Sequence, residues 1–248
     1  MPEFLPDLPV DGILECLARS PGNEIRSGKF DSPDSSQALV ANAFGWFLNR
    51  AGDLPPLPDV PGGQALSVTL AAEMRFPWTG GRHPWLDVGI ETETTLIGID
   101  AKRYEPFRPM KRSDFSEVYD SPVWAAKMPK YQRLSHGLID GSRSFEALDA
   151  VALIKQAYGL CTRAEKRATG AVLVYLYAEP KVWASGKVVD PARVEVHRRE
   201  VAAFGKMVAG DPVVFAPLRW ADLLAQWAMF VKLRPHVKAL RERFGVLG

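Results

Sequence analysis

Residues 85–102 read WLDVGIETETTLIGIDAK, and the rest of the chain is organised around them. Leu86, Val88 and Ile90 alternate with Asp87, Gly89 and Glu91. Further on, Ile99 and Ala101 alternate with Asp100 and Lys102. A period of two marks strands, because successive side chains point to opposite faces. The spacing predicts a tight hairpin, with strands over 85–92 and 95–104 joined at Glu93-Thr94. In that register Asp87 stands opposite Asp100, with Cβ atoms ~4.5–5.5 Å apart. The join lacks the Gly or Asn preferred in two-residue turns. A four-residue loop, Thr92 to Thr95, keeps the same pairing.

Working outward, residues 65–76 are β-rich and carry Glu73. Before them lies a Pro- and Gly-rich loop over 50–63, and before that a helix opened by Ser32-Pro33-Asp34 or Ser35. Leu39, Ala43, Phe44, Phe47 and Leu48 share one face of that helix. Residues 1–33 hold one short helix over 9–17. On the other side, 105–143 reads as a long irregular stretch. A helix over 144–161 follows, then an apolar strand over 170–177 suited to the middle of a sheet. Next come a helix over 191–208, a short strand over 212–217, and a helix over 220–244 interrupted near Pro235.

Three consecutive strands predict an antiparallel meander, and the later strand–helix–strand units predict parallel crossovers. The expected fold is α/β: a mixed sheet flanked by helices on both faces. No linker divides the 248 residues, so one domain is expected, with its core over about 24–180 and a C-terminal helical extension over about 190–248.

Composition excludes more than it selects. The chain is 47% hydrophobic and 24% charged with a net charge of +2, too mild to argue for nucleic acid on its own. Two cysteines, Cys16 and Cys161, cannot build a four-cysteine metal site, and both read as small apolar residues. His83, His136, His197 and His236 follow no zinc spacing, and no GxSxG, P-loop or GxGxxG occurs. The start of the chain does not read as a signal peptide, and no segment reaches the ~20 apolar residues of a membrane span. A cytoplasmic protein without a membrane partner is expected.

The chemistry lies in the hairpin. Two carboxylates facing each other can share one divalent cation, and without it they repel. The carbonyl of Ala101, between Asp100 and Lys102, supplies a further oxygen. Hard oxygen ligands with open positions suit Mg²⁺ or Mn²⁺. A lysine on the same face can orient water and offset charge on a phosphoryl group. Together these groups suit hydrolysis of a phosphodiester. An acid-x-Lys tripeptide alone is weak evidence, since about one is expected by chance in a chain of this composition. The chain has two, but Glu179-Pro180-Lys181 contains a ladder-breaking proline and has no acid on a preceding strand.

Asp87 followed by Asp100-x-Lys102 at the end of a strand resembles the PD-(D/E)xK nuclease superfamily. The order helix, three-strand meander, helix, strand over about 24–180 resembles that family's restriction-endonuclease-like core. Leu86 stands where the family usually has a proline, although Pro84 is near. The resemblance implies a metal-dependent nuclease acting on DNA, with Asp87, Asp100 and Ala101 as metal ligands and Lys102 catalytic. It further implies an acid from the first helix, for which Glu24 stands and Glu73 is the rival. It also implies a polar residue from the helix after the motif, for which Lys155 and Gln156 stand. Asn42, polar among apolar neighbours, is a further candidate to face the site. Residues 103–133 mix Arg103, Arg108, Lys111, Arg112, Lys127, Lys130 and Arg133 with Phe107, Phe115, Tyr119, Trp124 and Tyr131, a composition suited to phosphate contacts and base stacking. The alternatives are a catalytically inactive nuclease fold that binds nucleic acid or serves assembly, and an unrelated α/β interaction protein. A dimer would help cut both strands of a duplex; the sequence carries no interface signal.

Overall fold

In the computed structural model, residues 2–22, 24–77, 83–109, 114–116, 119, 122–245 and 247 are described. Five strands form one mixed sheet in the order β1-β2-β3-β4-β5. β1 (Ser67–Glu73), β2 (Trp85–Glu91) and β3 (Thr95–Lys102) are the antiparallel meander. β4 (Gly170–Tyr177) and β5 (Val213–Arg219) continue the sheet in parallel with β3. The pairing Val88↔Ile99 and Gly89↔Gly98 has the predicted hairpin register, but it stops there, and the expected rung of Asp87 opposite Asp100 is not formed. The turn dispenses with Gly or Asn because Thr92 supplies its own hydroxyl. That oxygen accepts the Thr95 N–H at 2.9 Å and donates to the Thr95 carbonyl at 3.0 Å.

Helices cover both faces. On one lie α1 (Val10–Arg19), α2 (Ser36–Phe44), α7 (Trp220–Met229) and α8 (Arg234–Phe244). Leu39, Phe44, Val88, Ile99, Trp220 and Trp227 belong to the core on that side. On the other lie α3 (Pro122–Lys127), α4 (Pro129–Ile139), α5 (Ala150–Arg167) and α6 (Pro191–Val208), around a core that includes Leu86, Trp124, Tyr131, Tyr158 and Phe204. Each large side chain so buried contributes on the order of 1.5–3 kcal/mol. β5, α7 and α8 therefore complete the sheet and its first core. No described helix is long and apolar enough to cross a membrane.

Local chemistry sets the helix ends. Ser35 caps α2 by accepting the Ala38 N–H at 3.0 Å. Asp149 caps α5 by accepting the Ala152 N–H at 3.0 Å, so α5 begins at Ala150 and not near 144. The stretch 105–143, expected to be irregular, holds α3 and α4. Pro129 is a start signal for α4, pre-set for a first helical turn. The C-terminal helix breaks at Phe230, ahead of Pro235, and a 3-10 turn separates α7 from α8.

Strict alternation fails at one rung. Leu70 and Val88 face the first core, whereas Ala72 and Leu86 face the second. Two residues apart along a strand should share a face. The cause is Ala71, which takes a left-handed conformation at φ 49° and drops out of the β1–β2 pairing. Asp87 lies opposite Ala71, where β2 makes the same change of side. The expectation that Leu86 shares a face with Val88 and Ile90 is therefore corrected.

Candidate active site

The β2–β3 ladder ends at Val88↔Ile99. Hydrogen-bonded pairs recur every second residue in an antiparallel ladder. The Thr92 N–H bonds the Thr95 carbonyl, so the same phase would next have Ala101 bond Leu86. Instead Leu86 has crossed to the other face, and Asp87 Oδ2 accepts the Ala101 N–H at 2.7 Å. A side-chain carboxylate has replaced a main-chain rung. The Lys102 carbonyl accepts from Ala178 next to β4, so the main-chain groups of Ala101 point the opposite way. Its carbonyl therefore points toward β2, on the side of Asp87.

Asp100 lies on the α5 side. Its Oδ1 accepts from Lys102 Nζ at 2.8 Å and from Gln156 Nε2 at 2.8 Å. Gln156 Nε2 also reaches the Trp85 carbonyl at 3.2 Å, which ties α5 to the start of β2. Asp100 Oδ2 is buried and has no hydrogen-bond partner among the described residues, nor has Gln156 Oε1. A buried carboxylate oxygen without a partner is costly, and a cation is one way to satisfy it.

The electrostatics follow. Burial pushes the Asp87 carboxyl up to about 7, and the charge of Asp100 adds to this against the pull of Lys102 and the Ala101 N–H. Burial works to neutralise Lys102, but Asp100, Asp87 and Glu105 outweigh it and raise its pKa, so the amine stays protonated. Glu105 is a member of this group that the sequence reading missed. Its Oε2 accepts the Arg103 and Tyr104 N–H groups at 2.7 and 3.0 Å, and its Oε1 accepts the Ser36 hydroxyl. Its pKa lies below the ordinary carboxylate range: Lys102, Ser36 and the main-chain donors together outweigh its desolvation. Glu105 thus pins the start of α2 to the end of β3. An acid three residues past the motif lysine, before a proline, was the only signal for it.

Asp87, Asp100, Ala101, Lys102 and Gln156 thus meet at the end of β3. Glu73 does not join them: its carboxylate is held by Arg75 at 2.8 Å, in a groove beside β1. Glu24 accepts from Ser35 at 3.3 Å, and its pocket shares Gln37, Ser20 and Leu17 with the pocket that Asp87 lines. Lys155 faces away, donating to the Asp114 carbonyl and lying 5.0 Å from the Tyr119 ring.

Other expectations need correction. Asn42 accepts the Leu5 N–H at 2.7 Å and donates to the Ala38 carbonyl, so it anchors the N-terminal segment and does not face the site. His83 accepts the Phe76 N–H at 3.2 Å. In 103–133, Arg103 is buried and donates to the Pro33 and Phe244 carbonyls. Arg108 pairs with Asp34 and Lys127 with Glu165. Phe107, Tyr119, Trp124 and Tyr131 are buried, with Trp124 stacked on Tyr158 at 4.3 Å, so these rings belong to the interior. Lys111 and Arg112 lie outside the described residues.

Among the described residues no cluster of three or more His, Cys, Asp or Glu side chains could hold a metal ion. Mg²⁺ does not require one, since it is held by one or two carboxylates and keeps several waters. Two acids, a carboxylate oxygen without a partner among the described residues and a main-chain carbonyl on the β2 side fit that pattern. Comparisons with protein-family models, with curated proteins and with solved structures each find no match to this chain.

Proposed function

We propose that this chain is a Mg²⁺- or Mn²⁺-dependent nuclease of the PD-(D/E)xK kind that hydrolyses phosphodiester bonds in DNA. One observation carries the reading. Where β2 parts from β3, two carboxylates, a main-chain carbonyl and a protonated lysine converge, and one buried carboxylate oxygen has no partner among the described residues. The meander followed by parallel crossover strands supports a restriction-endonuclease-like core.

Asp87, Asp100 and the Ala101 carbonyl would hold the cation. When bound, it would polarise a phosphoryl oxygen and make a water molecule more acidic. Lys102 remains cationic and is fixed by Asp100, so its other N–H bonds can orient water and meet charge developing on the phosphate. Gln156 holds Asp100 in place, and Glu105 holds the loop that follows Lys102.

The test is incubation of the purified chain with single- and double-stranded DNA in Mg²⁺, in Mn²⁺ and in chelator. Metal-dependent cleavage is expected, lost in Asp100→Ala and in Lys102→Ala. Binding of Mn²⁺ followed by calorimetry is expected to weaken in Asp100→Ala. Cleavage that survives both substitutions would overturn the reading.

A further inference from the structure

Next to the site, beside edge strand β1, lies a groove of about 640 Å³ between α1 and α5. Among the described residues four cations line it, Arg19, Arg75, Arg163 and Lys166, with Glu73 the acid in the lining. Arg19 pairs with Glu15, Arg75 with Glu73 and Arg163 with Glu91. The whole chain carries a net charge of only +2. The four cations of the groove outnumber the three acids that pair with them, so a positive excess remains there, centred on Lys166. Arg75 and Arg19 extend into solvent, with side chains 71% and 63% exposed. Lys166 makes no ion pair among the described residues. Arg163 is the fixed member: it donates to the Glu73 carbonyl and to Glu91, each at 3.2 Å.

The groove adjoins the pocket of Asp87. It shares Leu70, Ala71 and Trp85 with the pocket that Asp87 lines. Its floor is the strained turn at Ala71, the residue opposite Asp87. A polyanion seated over Asp87 would thus leave across Ala71 and meet the four cations next.

We propose that this groove is the binding track for the phosphodiester backbone beside the cleaved bond, with Arg19, Arg75 and Lys166 as phosphate contacts and Arg163 as the fixed wall. The inference rests on the nuclease reading for its substrate class. Charge complementarity decides the occupant: surface arginines and lysines contact phosphates without reading sequence.

The test is binding of the full chain to a short labelled DNA, as duplex and as single strand, in chelator and over a range of salt. Each phosphate contact contributes about one unit to the slope of log K against log salt. Lys166→Ala and Arg19→Ala are each expected to lower that slope by about one, and the double variant by about two. Lys238→Ala, on α8 away from the groove, is expected to leave it unchanged. Equal weakening in Lys238→Ala would overturn the track, as would wild-type slopes in the groove variants or absence of DNA binding by the wild type. If the groove variants lose binding but the wild type cuts no DNA with either metal, the track stands and catalysis falls. If Asp100→Ala abolishes cleavage while the groove variants bind and cut normally, catalysis stands and the track falls.

Discussion

Replacing Asp87 with asparagine is expected to stabilise the metal-free protein near pH 8 while abolishing cleavage. The amide is almost the same size, and its oxygen can still accept the Ala101 N–H now bonded at 2.7 Å. What disappears is a charge that the fold receives poorly. An exposed aspartate loses its proton near 3.8, whereas Asp87 keeps it to about 7. Below about pH 4 both folded and unfolded chains hold the proton, and this group contributes no difference between them. From about 4 to 7 the folded chain holds it and the unfolded chain does not, so stability falls as pH rises. Above about 7 the full cost is present. At ~1.4 kcal/mol per unit, the shift corresponds to about 4 kcal/mol. The carboxylate keeps some contact with solvent, which reduces this to about 2–3 kcal/mol. Urea unfolding in chelator at pH 5 and pH 8 measures the effect. The expected gain from Asp87→Asn is about 2–3 kcal/mol at pH 8 and well under half of that at pH 5. Mg²⁺ is expected to stabilise the wild type at pH 8 and not the variant. A variant less stable than wild type at pH 8, or a gain independent of pH, would refute the reasoning.

Gln156→Ala removes the amide that holds both Asp100 and the Trp85 carbonyl. It is expected to reduce cleavage or metal affinity about 10–100-fold with the fold intact, as loss of a supporting ligand partner does; steady-state kinetics against metal concentration would show it. Glu105→Ala leaves the Arg103 and Tyr104 N–H groups to water and is expected to cost about 1 kcal/mol in urea unfolding. Gly159→Ala would bring a Cβ to 2.5 Å from the Met74 carbonyl oxygen and 2.9 Å from Pro84. Main-chain atoms cannot step aside cheaply, so a loss of about 1–3 kcal/mol is expected. That is a fall in Tm of about 2–4 °C per kcal/mol for a chain of this size; an unchanged Tm would show that α5 is free to move off β1.

The hairpin was legible because apolar alternation and the polar join at Glu93-Thr94 agree on one register. The apolar run 170–177 gave β4 for a similar reason. Gln156 could be named only through the family resemblance, which implies a polar residue on the helix after the motif and left Lys155 beside it; the structure brings Gln156 to Asp100 and turns Lys155 away. Glu105, Arg103 and Asn42 were not legible in that way. Their partners lie 69, 141 and 37 residues away, and no local pattern announces such bonds. Ala71 illustrates the harder limit. Left-handed backbone is normally signalled by Gly or Asn, and alanine gives no such sign. The aromatic residues of 103–133 misled for the opposite reason. Rings among basic residues suit a nucleic-acid surface, but Trp124 and Tyr131 fill the interior beneath α3 and α4.

Ala71 has a consequence for how the molecule behaves in company. β1 forms one border of the sheet, where spare N–H and C=O groups invite a neighbour to extend it. The left-handed residue interrupts that row midway, so an incoming segment finds two short stubs facing different directions and no continuous template. A glycine there would sit without strain, yet it would also be free to straighten. Alanine, packed against the first core, keeps that border from offering a neighbour one continuous row of main-chain groups.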